Sequence, residues 1–466
     1  MTHDHLGQLS PPPRCVSPLL FPCNPYAETG KMVPSCYHMK MGSQFSHRRK
    51  HRQKSHSQSH AEGTVSPVLQ GHPLVPTEKH QFIETNADLI ALCNSVREEH
   101  AFAFDTEFIG EDSYYAHTCL IQIATKRGVT LIDPFSVDDL TPLYELICDP
   151  DIITIVHAGI QDFEPVIRLH NDSPKNIFDT QIAAGFVGLP WPLSLTKTIG
   201  TILNHTVGGH FTFSQWDARP LTKRQLHYAA DDVRYLIAIH DDLQNKLREL
   251  DREQWLHSEC QKFSNADTFE FNTRQVVKKI CGTKVPKTRE LKRIQALAVL
   301  RNSIAKEKNL PPKDVYPNEC IWHLAKNLIS NANQLSAIRG FPKHIAVQFG
   351  ERIIQCLEDS ESVDPVKLRK PQKIESEPKM RQELDGAWSL FNAFCVGQQL
   401  APGLVSNRQS FTDWYLWLRE GRDISASPLS HDWRATFLTD FSAMINDQGS
   451  LTFAFDNGLM VNKASL

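Results

Sequence analysis

The sequence predicts an α/β domain with a mixed sheet and flanking helices, followed by two small all-helical domains. Strand-like runs at 102–108, 118–124 and 129–133 follow one another closely, and Gly128 lies at a turn typical of a hairpin. Helix-like and strand-like segments then alternate, which indicates a sheet with strands in both directions. Beyond about residue 250 the apolar spacing is helical.

The N-terminal extension, residues 1–76, has the composition of a disordered segment. It is rich in Pro, Ser, His and Gln, lacks hydrophobic periodicity, and carries eight Lys or Arg against three Asp or Glu. A solvated tail, an RNA-contacting arm and a targeting segment all fit this pattern, as does a true start at Met32 or Met41. We expect ordered structure to begin near Thr77.

The α/β domain is predicted over residues 77–250. After the three strand-like runs, we expect a helix near 139–148, a buried strand at 152–157 and a further helix from about 161. Helical pattern dominates from there to the end of the domain, so helices should cover the sheet. Residues 251–287 are interpreted as a connecting segment.

Two helical domains are predicted beyond this segment, at 288–360 and 384–460, with a linker at 361–383. The stretch 278–308 carries ten Lys or Arg against two Asp or Glu, which favours sequence-independent contact with RNA phosphates. Three prolines interrupt the linker, and the last domain contains four tryptophans that we assign to its core. We therefore expect the α/β domain and the helical domains to have separate cores.

Bulk composition excludes several classes of protein. The 466-residue chain has a formal net charge of -3, so any contact with nucleic acid would need local basic patches. Its eleven cysteines show neither CxxC pairs nor zinc-ligand spacing, which argues against structural zinc and a secreted disulfide scaffold. No apolar run suits a membrane helix, and the N-terminus lacks the pattern of a signal peptide. We expect a cytoplasmic protein with no membrane partner.

The first chemically informative segment is a strand that carries two carboxylates. Asp105 and Glu107 are two residues apart, so both side chains should lie on one face, while Phe104, Thr106 and Phe108 should face the core. Two like charges side by side weaken a strand. For this pair alone, an exposed face of the sheet is an equally good explanation.

Two further segments supply an aspartate and a tyrosine-aspartate pair. Asp162 follows the small pair Ala158-Gly159 and should lie in the first turn of a helix, whereas Tyr228 and Asp232 share one face of a later helix. Taken singly, these residues also fit helix capping and an amphipathic surface helix. Carboxylates gathered from distant segments repel one another unless cations lie between them, and the usual chemistry of two divalent ions is phosphodiester cleavage.

These three segments, in this order, resemble the motifs of the DEDD superfamily of 3′-5′ exonucleases, tyrosine subtype, and of ribonuclease D in particular. The resemblance covers about residues 80–250 and extends to Phe-Asp-Thr-Gln at 178–181 and Arg-Pro-Leu-Thr at 219–222. The region 289–358 is similar to the helicase-and-RNase-D C-terminal (HRDC) domain, and 384–445 resembles a second, weaker copy. The resemblance implies an RNase H-like fold for the first domain.

Some neighbouring residues offer alternatives to this assignment. His227 precedes Asp232 by five residues and mimics the histidine subtype, but a five-residue step turns one side chain about 140° away on a helix, so we prefer Tyr228. Asp231 is the alternative carboxylate. Family members often carry a Lys and an Asp before Trp216, and the segment 208–216 lacks both.

Two other polar residues are assigned structural roles. His157 at the end of a predicted strand should be a buried histidine with satisfied hydrogen bonds rather than a ligand. Asp179 should cap a helix.

The resemblance implies that two Mg²⁺ or Mn²⁺ ions are bound by Asp105, Glu107, Asp162 and Asp232. In the family pattern Asp105 bridges both ions, Glu107 and Asp232 complete one, and Asp162 holds the other through water. Tyr228 would orient the attacking water, since a phenol pKa of about 10 is high for a base.

The implied protein is a monomeric exoribonuclease that acts from the 3′ end. It would release nucleoside 5′-monophosphates from tRNA precursors and other structured RNAs with a single-stranded 3′ end. An exonuclease that acts on DNA and a catalytically inactive nucleic-acid-binding adaptor are the alternatives.

Overall fold

The computed structural model describes residues 67–208, 215–327, 329–369, 373–425, 427–446, 452–456 and 459–463. Most of the predicted N-terminal extension, through residue 66, therefore lies outside the described residues. So does the stretch 209–214, which makes up most of the segment before Trp216 that lacks the Lys and Asp often found in the family.

A mixed six-stranded sheet organises the first domain, which confirms the predicted fold class. Its strand order is β1-β4-β3-β2-β5-β6; β3 runs antiparallel to β2 and β4, and the other neighbouring pairs are parallel. The strands of this sheet are β1 (Gln81–Ile83), β2 (Ala101–Ile109), β3 (His117–Thr125), β4 (Gly128–Ile132), β5 (Ile153–Val156) and β6 (Ile177–Asp179).

Eight helices of the described residues pack around this sheet. The first is capped by Thr85, whose hydroxyl accepts a hydrogen bond from the Asp88 main chain, and it ends at His100 in the left-handed region. The helices are α1 (Asn86–Glu99), α2 (Thr141–Ile147), α3 (Glu164–His170), α4 (Thr180–Phe186), α5 (Leu195–Leu203), α6 (Lys223–Arg234), α7 (Leu236–Glu249) and α8 (Glu253–Cys260).

The second region is helical and has its own hydrophobic core. Leu297, Tyr316, Ile321 and Ile353 are completely buried there, and Tyr114 of the first domain packs against the edge of this core. Its helices are α9 (Thr273–Cys281), α10 (Thr288–Lys308), α11 (Pro312–Val315), α12 (Asn318–Lys326) and α13 (Lys343–Asp359).

The third region consists of four helices and a short antiparallel hairpin. The hairpin lies partly within the stretch that we predicted to be helical through residue 460. The elements are α14 (Pro378–Gly397), α15 (Pro402–Val405), α16 (Arg408–Arg419), α17 (Asp432–Asn446), β7 (Thr452–Asp456) and β8 (Leu459–Lys463).

The expectation of separate cores is wrong for this third region, because its apolar residues join the core of the first domain. The Trp433 ring lies 4.9 Å from that of Phe186 and stacks on Trp255 at 5.2 Å. The buried Arg252 donates hydrogen bonds to the carbonyls of Phe186 and Gln399, each at 2.6 Å. Proline and charge content can predict where a linker lies. They do not show which apolar helix face packs on which neighbouring domain.

The segment interpreted as a linker also makes fixed contacts. The Arg369 side chain binds Asp413 and Glu375, and the main chain at Val366 binds the Gln295 side chain. Helix α14 begins at Pro378, within the predicted linker. None of the helices that the structure describes is long and apolar enough to cross a membrane.

Candidate active site

A cleft of about 220 Å³ lies where β2 ends and α6 crosses the sheet. Four of the five predicted site residues line it, and the fifth, Asp162, contacts its wall through Thr106. The lining residues are Asp105, Thr106, Glu107, His157, Leu195, Tyr228, Asp232 and Leu236.

Strand β2 presents Asp105 and Glu107 on one face of the sheet, opposite Gln122 and Leu120 of β3. A β-bulge follows between Glu107 and Phe108. The bulge interrupts the alternation of faces, so Phe108 is 43% exposed and its predicted place in the core is wrong.

Asp162 lies on a tight turn rather than on a regular α-helix. The chain leaves β5 through Ala158, whose φ is 60°, and forms a 3-10 helix from Gly159 to Phe163. A Cβ at Gly159 would lie 2.6 Å from the Val156 Cβ, so only glycine fits this approach. Thr106 donates a hydrogen bond to the buried Asp162 carboxylate, which ties the turn to β2.

Helix α6 supplies Tyr228 and Asp232 to the cleft. It begins with a capping box in which the Thr222 hydroxyl and the Gln225 side chain each bind the other residue's main chain. Tyr228 and Asp232 share one face, and the Tyr228 hydroxyl donates a hydrogen bond to the Asp232 carboxylate. The Trp216 ring lies 6.3 Å from the Tyr228 ring and forms part of its support.

His227 and Asp231 are paired with each other on a different face of α6. The His227 Nε2 lies 3.2 Å from an Asp231 carboxylate oxygen, and Arg234 binds the other oxygen at 3.1 Å. Neither residue is among those that line the cleft. This arrangement favours Tyr228 over His227 and Asp232 over Asp231 as the site residues.

The carboxylates of the cleft disfavour one another's ionisation. Burial, then the charges of Asp162, Asp232 and Glu107, raise the pKa of Asp105 well above its usual range. Burial and the Asp162 charge raise the pKa of Glu107 to about 8. Burial raises the pKa of Asp162 to about 7, and burial with the charge of Glu107 raises the pKa of Asp232 well above its usual range.

Tyr228 is held in its protonated form. Burial and the neighbouring charges of Asp232, Glu107 and Asp105 raise the pKa of its phenol far above the usual value. At neutral pH the phenol therefore keeps its proton, and its hydroxyl can donate a hydrogen bond.

His157 and Asp179 have the structural roles that we predicted for them. His157 binds the Thr180 hydroxyl at 2.9 Å and the Leu193 carbonyl at 3.0 Å, and burial lowers its pKa. Asp179 caps α4 by accepting hydrogen bonds from the main chains of Gln181 and Ile182. Asp179 also accepts one from Ala158, which helps to hold the turn before Asp162.

The chemistry of the donors suits hard divalent cations, because four carboxylates lie close enough to shift one another's pKa values. Within the described part of the chain, no group of three or more His, Cys, Asp or Glu side chains is arranged closely enough to hold a metal ion. The four carboxylates fit such ions only by their charge and oxygen chemistry.

Sequence reasoning missed three residues of the site. Thr106 was assigned to the core, although its hydroxyl binds Asp162. Leu195 and Leu236 form apolar walls of the cleft. Leu236 follows Asp232 by four residues and could have been found from helical spacing, whereas no local signal distinguishes Leu195.

Comparison with protein families identifies two regions of the chain. A family model described as 3′-5′ exonuclease matches residues 80–248, and one described as HRDC domain matches residues 290–357. The first match contains all five predicted site residues, and the second coincides with the region that has its own core.

Individual relatives give the same result over longer stretches. The chain is 32% identical to ribonuclease D of Sphingobium indicum over 58% of this chain and 68% of that protein. It is 31% identical to ribonuclease D of Zymomonas mobilis over 62% and 75%. The crystal structure of Escherichia coli RNase D matches with a TM-score of 0.66 and 25% identity, covering 80% of this chain and all of that one. The chain therefore belongs to the ribonuclease D family.

Proposed function

We propose that this member of the ribonuclease D family, a 3′-5′ exoribonuclease, uses two divalent metal ions and releases nucleoside 5′-monophosphates. The observation that carries the proposal is the placement of Asp105, Glu107 and Asp232 around one cleft, with Asp162 bound to its wall, where the charges of the other three raise the pKa of Asp105. Such an arrangement is unfavourable for a folded chain unless cations compensate it. A phosphodiester brought between cations and these side chains would be placed for hydrolysis.

We assign the roles as follows. Two bound Mg²⁺ or Mn²⁺ ions would supply an activated water and stabilise the leaving 3′ oxygen. Asp105, Glu107, Asp162 and Asp232 would hold them. Tyr228 would donate a hydrogen bond that orients the attacking water, since its raised pKa keeps the phenol protonated.

Neighbouring side chains would support this set. The Thr106 hydroxyl would fix the orientation of the Asp162 carboxylate. Leu195 and Leu236 would limit the access of further water.

We further propose structured RNAs, tRNA precursors among them, as substrates. The E. coli relative is described as an exoribonuclease involved in structured RNA processing. Lys278, Lys279 and Lys287 are exposed in the basic stretch, which suits contact with phosphates. Arg293 and Arg301 of the same stretch are buried and bind main-chain carbonyls, so they do not contribute to that surface.

We place the protein in the cytoplasm and expect it to act as a monomer. Family membership and the free state of the described cysteines support a reducing compartment. The oligomeric state follows only from the family resemblance, and light scattering would measure it.

The test is product analysis on a 3′-extended tRNA precursor with Mg²⁺, with Mn²⁺ and with EDTA. We expect nucleoside 5′-monophosphates to accumulate only with a divalent ion. A DNA strand of the same sequence in a parallel reaction tests the nucleic-acid preference. Undiminished hydrolysis in EDTA would refute the metal assignment, and faster hydrolysis of DNA than RNA would refute the substrate assignment.

A further inference from the structure

The residues before the exonuclease match are packed onto the first domain. The family match begins at residue 80, yet the described chain from 67 to 79 lies against the domain. Val75 is 4% exposed, and Val68, Leu69 and Leu74 are partly buried against the same core. We call residues 67–80 the N-terminal strap; its first ten residues belong to the stretch that we interpreted as disordered.

The strap is bonded to α6 through a buried arginine. Arg234, 3% exposed, donates hydrogen bonds to the carbonyl of Pro76 at 2.5 Å and to that of Glu78 at 3.3 Å. Its Nε binds Asp231 at 3.1 Å. One guanidinium therefore joins the strap to the carboxylate next to Asp232 in the sequence.

The residue after Arg234 belongs to the core on which the strap packs. Tyr235, at the junction of α6 and α7, is 1% exposed; its hydroxyl lies 3.4 Å from His205 Nε2, and Leu69 of the strap is partly buried against the same core. The strap is thus bonded to the C-terminal end of α6 through Arg234 and shares its core. Tyr228 and Asp232 line the cleft. Asp231 and Arg234 do not line it, and they form an ion pair with each other.

We propose that the N-terminal strap, acting through Arg234, fixes the orientation of α6 and so sets the positions of Tyr228 and Asp232 in the cleft. Arg234 is then a positioning residue, since it does not line the cleft. The side chains of a catalytic site must be held closely in place, and a displacement of 1 Å lowers turnover by about 100-fold. Releasing the strap should lower turnover and leave substrate affinity unchanged.

The experiment uses full-length protein with single substitutions. Val75→Asp places a charge in the buried anchor of the strap, far along the chain from the site residues. Glu78→Ala is the matched control, because the Glu78 side chain is exposed and only its carbonyl binds Arg234. Arg234→Lys keeps the charge but cannot bind two carbonyls and a carboxylate in the same fork geometry.

Hydrogen exchange and kinetics are read together on each variant. We expect Val75→Asp and Arg234→Lys to speed exchange in residues 67–80 and 223–234 and to lower kcat by about 10-fold or more, with KM within about twofold. Glu78→Ala should change neither. If Val75→Asp does not fold, the same readouts on Arg234→Lys decide the question.

Two results would overturn the proposal. One is a released strap, shown by fast exchange, with kcat unchanged. The other is exchange in residues 67–80 of the unaltered protein as fast as in an unfolded peptide. The kinetic part rests on the proposed function, but the exchange part does not, so an inactive unaltered protein would count against the function and leave the strap testable.

Discussion

At the scale of single residues, the cleft concentrates negative charge that the fold alone does not compensate. Asp105 is surrounded by Asp162, Asp232 and Glu107, and each of them raises its pKa. Such groups reduce the stability of the metal-free protein, because like charges at close range repel strongly when water is excluded. The residues required for activity are therefore expected to be unfavourable for folding.

Asp105→Asn should separate these two effects. We expect it to raise the metal-free free energy of unfolding by about 1–2 kcal/mol, a few degrees in Tm, because folding no longer has to bury a carboxyl group whose ionisation is strongly disfavoured there. It should lower kcat by about 1,000-fold, because a proposed metal ligand is lost. Calorimetry in EDTA and a decay assay with Mg²⁺ measure the two effects.

Asp151→Asn is the control. Asp151 is exposed and precedes the first residue of β5, whereas His157 of the cleft follows the last residue of that strand. It should leave both quantities unchanged. Near-normal turnover of Asp105→Asn would rule out Asp105 as a metal ligand.

Tyr228→Phe and His227→Ala test the choice between neighbouring residues. The first removes the hydroxyl that binds Asp232, and we expect kcat to fall about 10–100-fold with little change in KM, because only an orienting hydrogen bond is lost. His227 pairs with Asp231 away from the cleft, so its removal should change kcat by less than about threefold. The reverse order would mean that the histidine subtype describes this site.

His240 should make stability depend on pH. Burial lowers its folded-state pKa to about 4, against about 6.5 in the unfolded chain, and its ring packs 4.4 Å from that of Phe178. The unfolded state binds more protons between these values, so this contribution to stability is complete above pH 6.5 and is lost as pH falls towards 4. Urea unfolding measures this effect. Between pH 7.5 and pH 5.0, the free energy of unfolding should fall by about 1–2 kcal/mol less in His240→Gln than in the unaltered protein.

At the residue scale, the sequence predicted most of the site. Asp105, Glu107, Tyr228 and Asp232 line one cleft because strand and helix periodicities place each pair on one face. Their catalytic roles remain predictions. The contact of Thr106 with Asp162 could not be predicted, because it depends on where a turn from another part of the chain lies.

At the scale of elements, two local irregularities shape the site: the bulge after Glu107 and the 3-10 turn that carries Asp162. The bulge exposes Phe108, and the turn depends on the close approach of Gly159 to Val156. Periodicity does not predict either feature. It also missed β1 and β6, since three-residue strands are too short to show alternation.

Gly159→Ala should displace the turn. Its Cβ would lie 2.6 Å from the Val156 Cβ, so the backbone must shift, at about 1–3 kcal/mol of stability. We expect a 10-fold or larger loss of kcat, because Asp162 moves with the turn. Gly128→Ala is the matched control, since a Cβ there would meet nothing within 4 Å. Equal kcat in the two variants would contradict the role of the turn.

At the scale of the whole molecule, the described residues form two main cores that do not follow the order of the sequence. The HRDC region has its own core, whereas helices before and after it share the other one. The order of domains was predicted from motifs and linkers, but the shared core was not, because apolar faces on separate helical regions do not reveal their partners.

Trp433→Ala should destabilise the nuclease domain although residue 433 lies far beyond the exonuclease match. Trp433 is 5% exposed and packs on Phe186 and Trp255, so we expect a loss of about 3–5 kcal/mol. Activity on a short single-stranded RNA should disappear at a lower temperature than in the unaltered protein. Leu335→Ala, in the HRDC core, is the comparison and should leave that temperature unchanged. Equal effects of the two changes would indicate a single cooperative unit.

The shared core also constrains how the protein folds during synthesis. Its apolar residues run to Phe263 and resume only at Ala387, ending at Phe441, whereas the HRDC core is complete at Leu357. At typical rates of translation the ribosome takes about 10–35 s to extend the chain from Phe263 to Phe441. During that interval the HRDC region can fold while the nuclease segment still exposes the apolar surfaces that α14 to α17 will cover. The newly made chain should therefore bind chaperones through its N-terminal half until its last helices emerge.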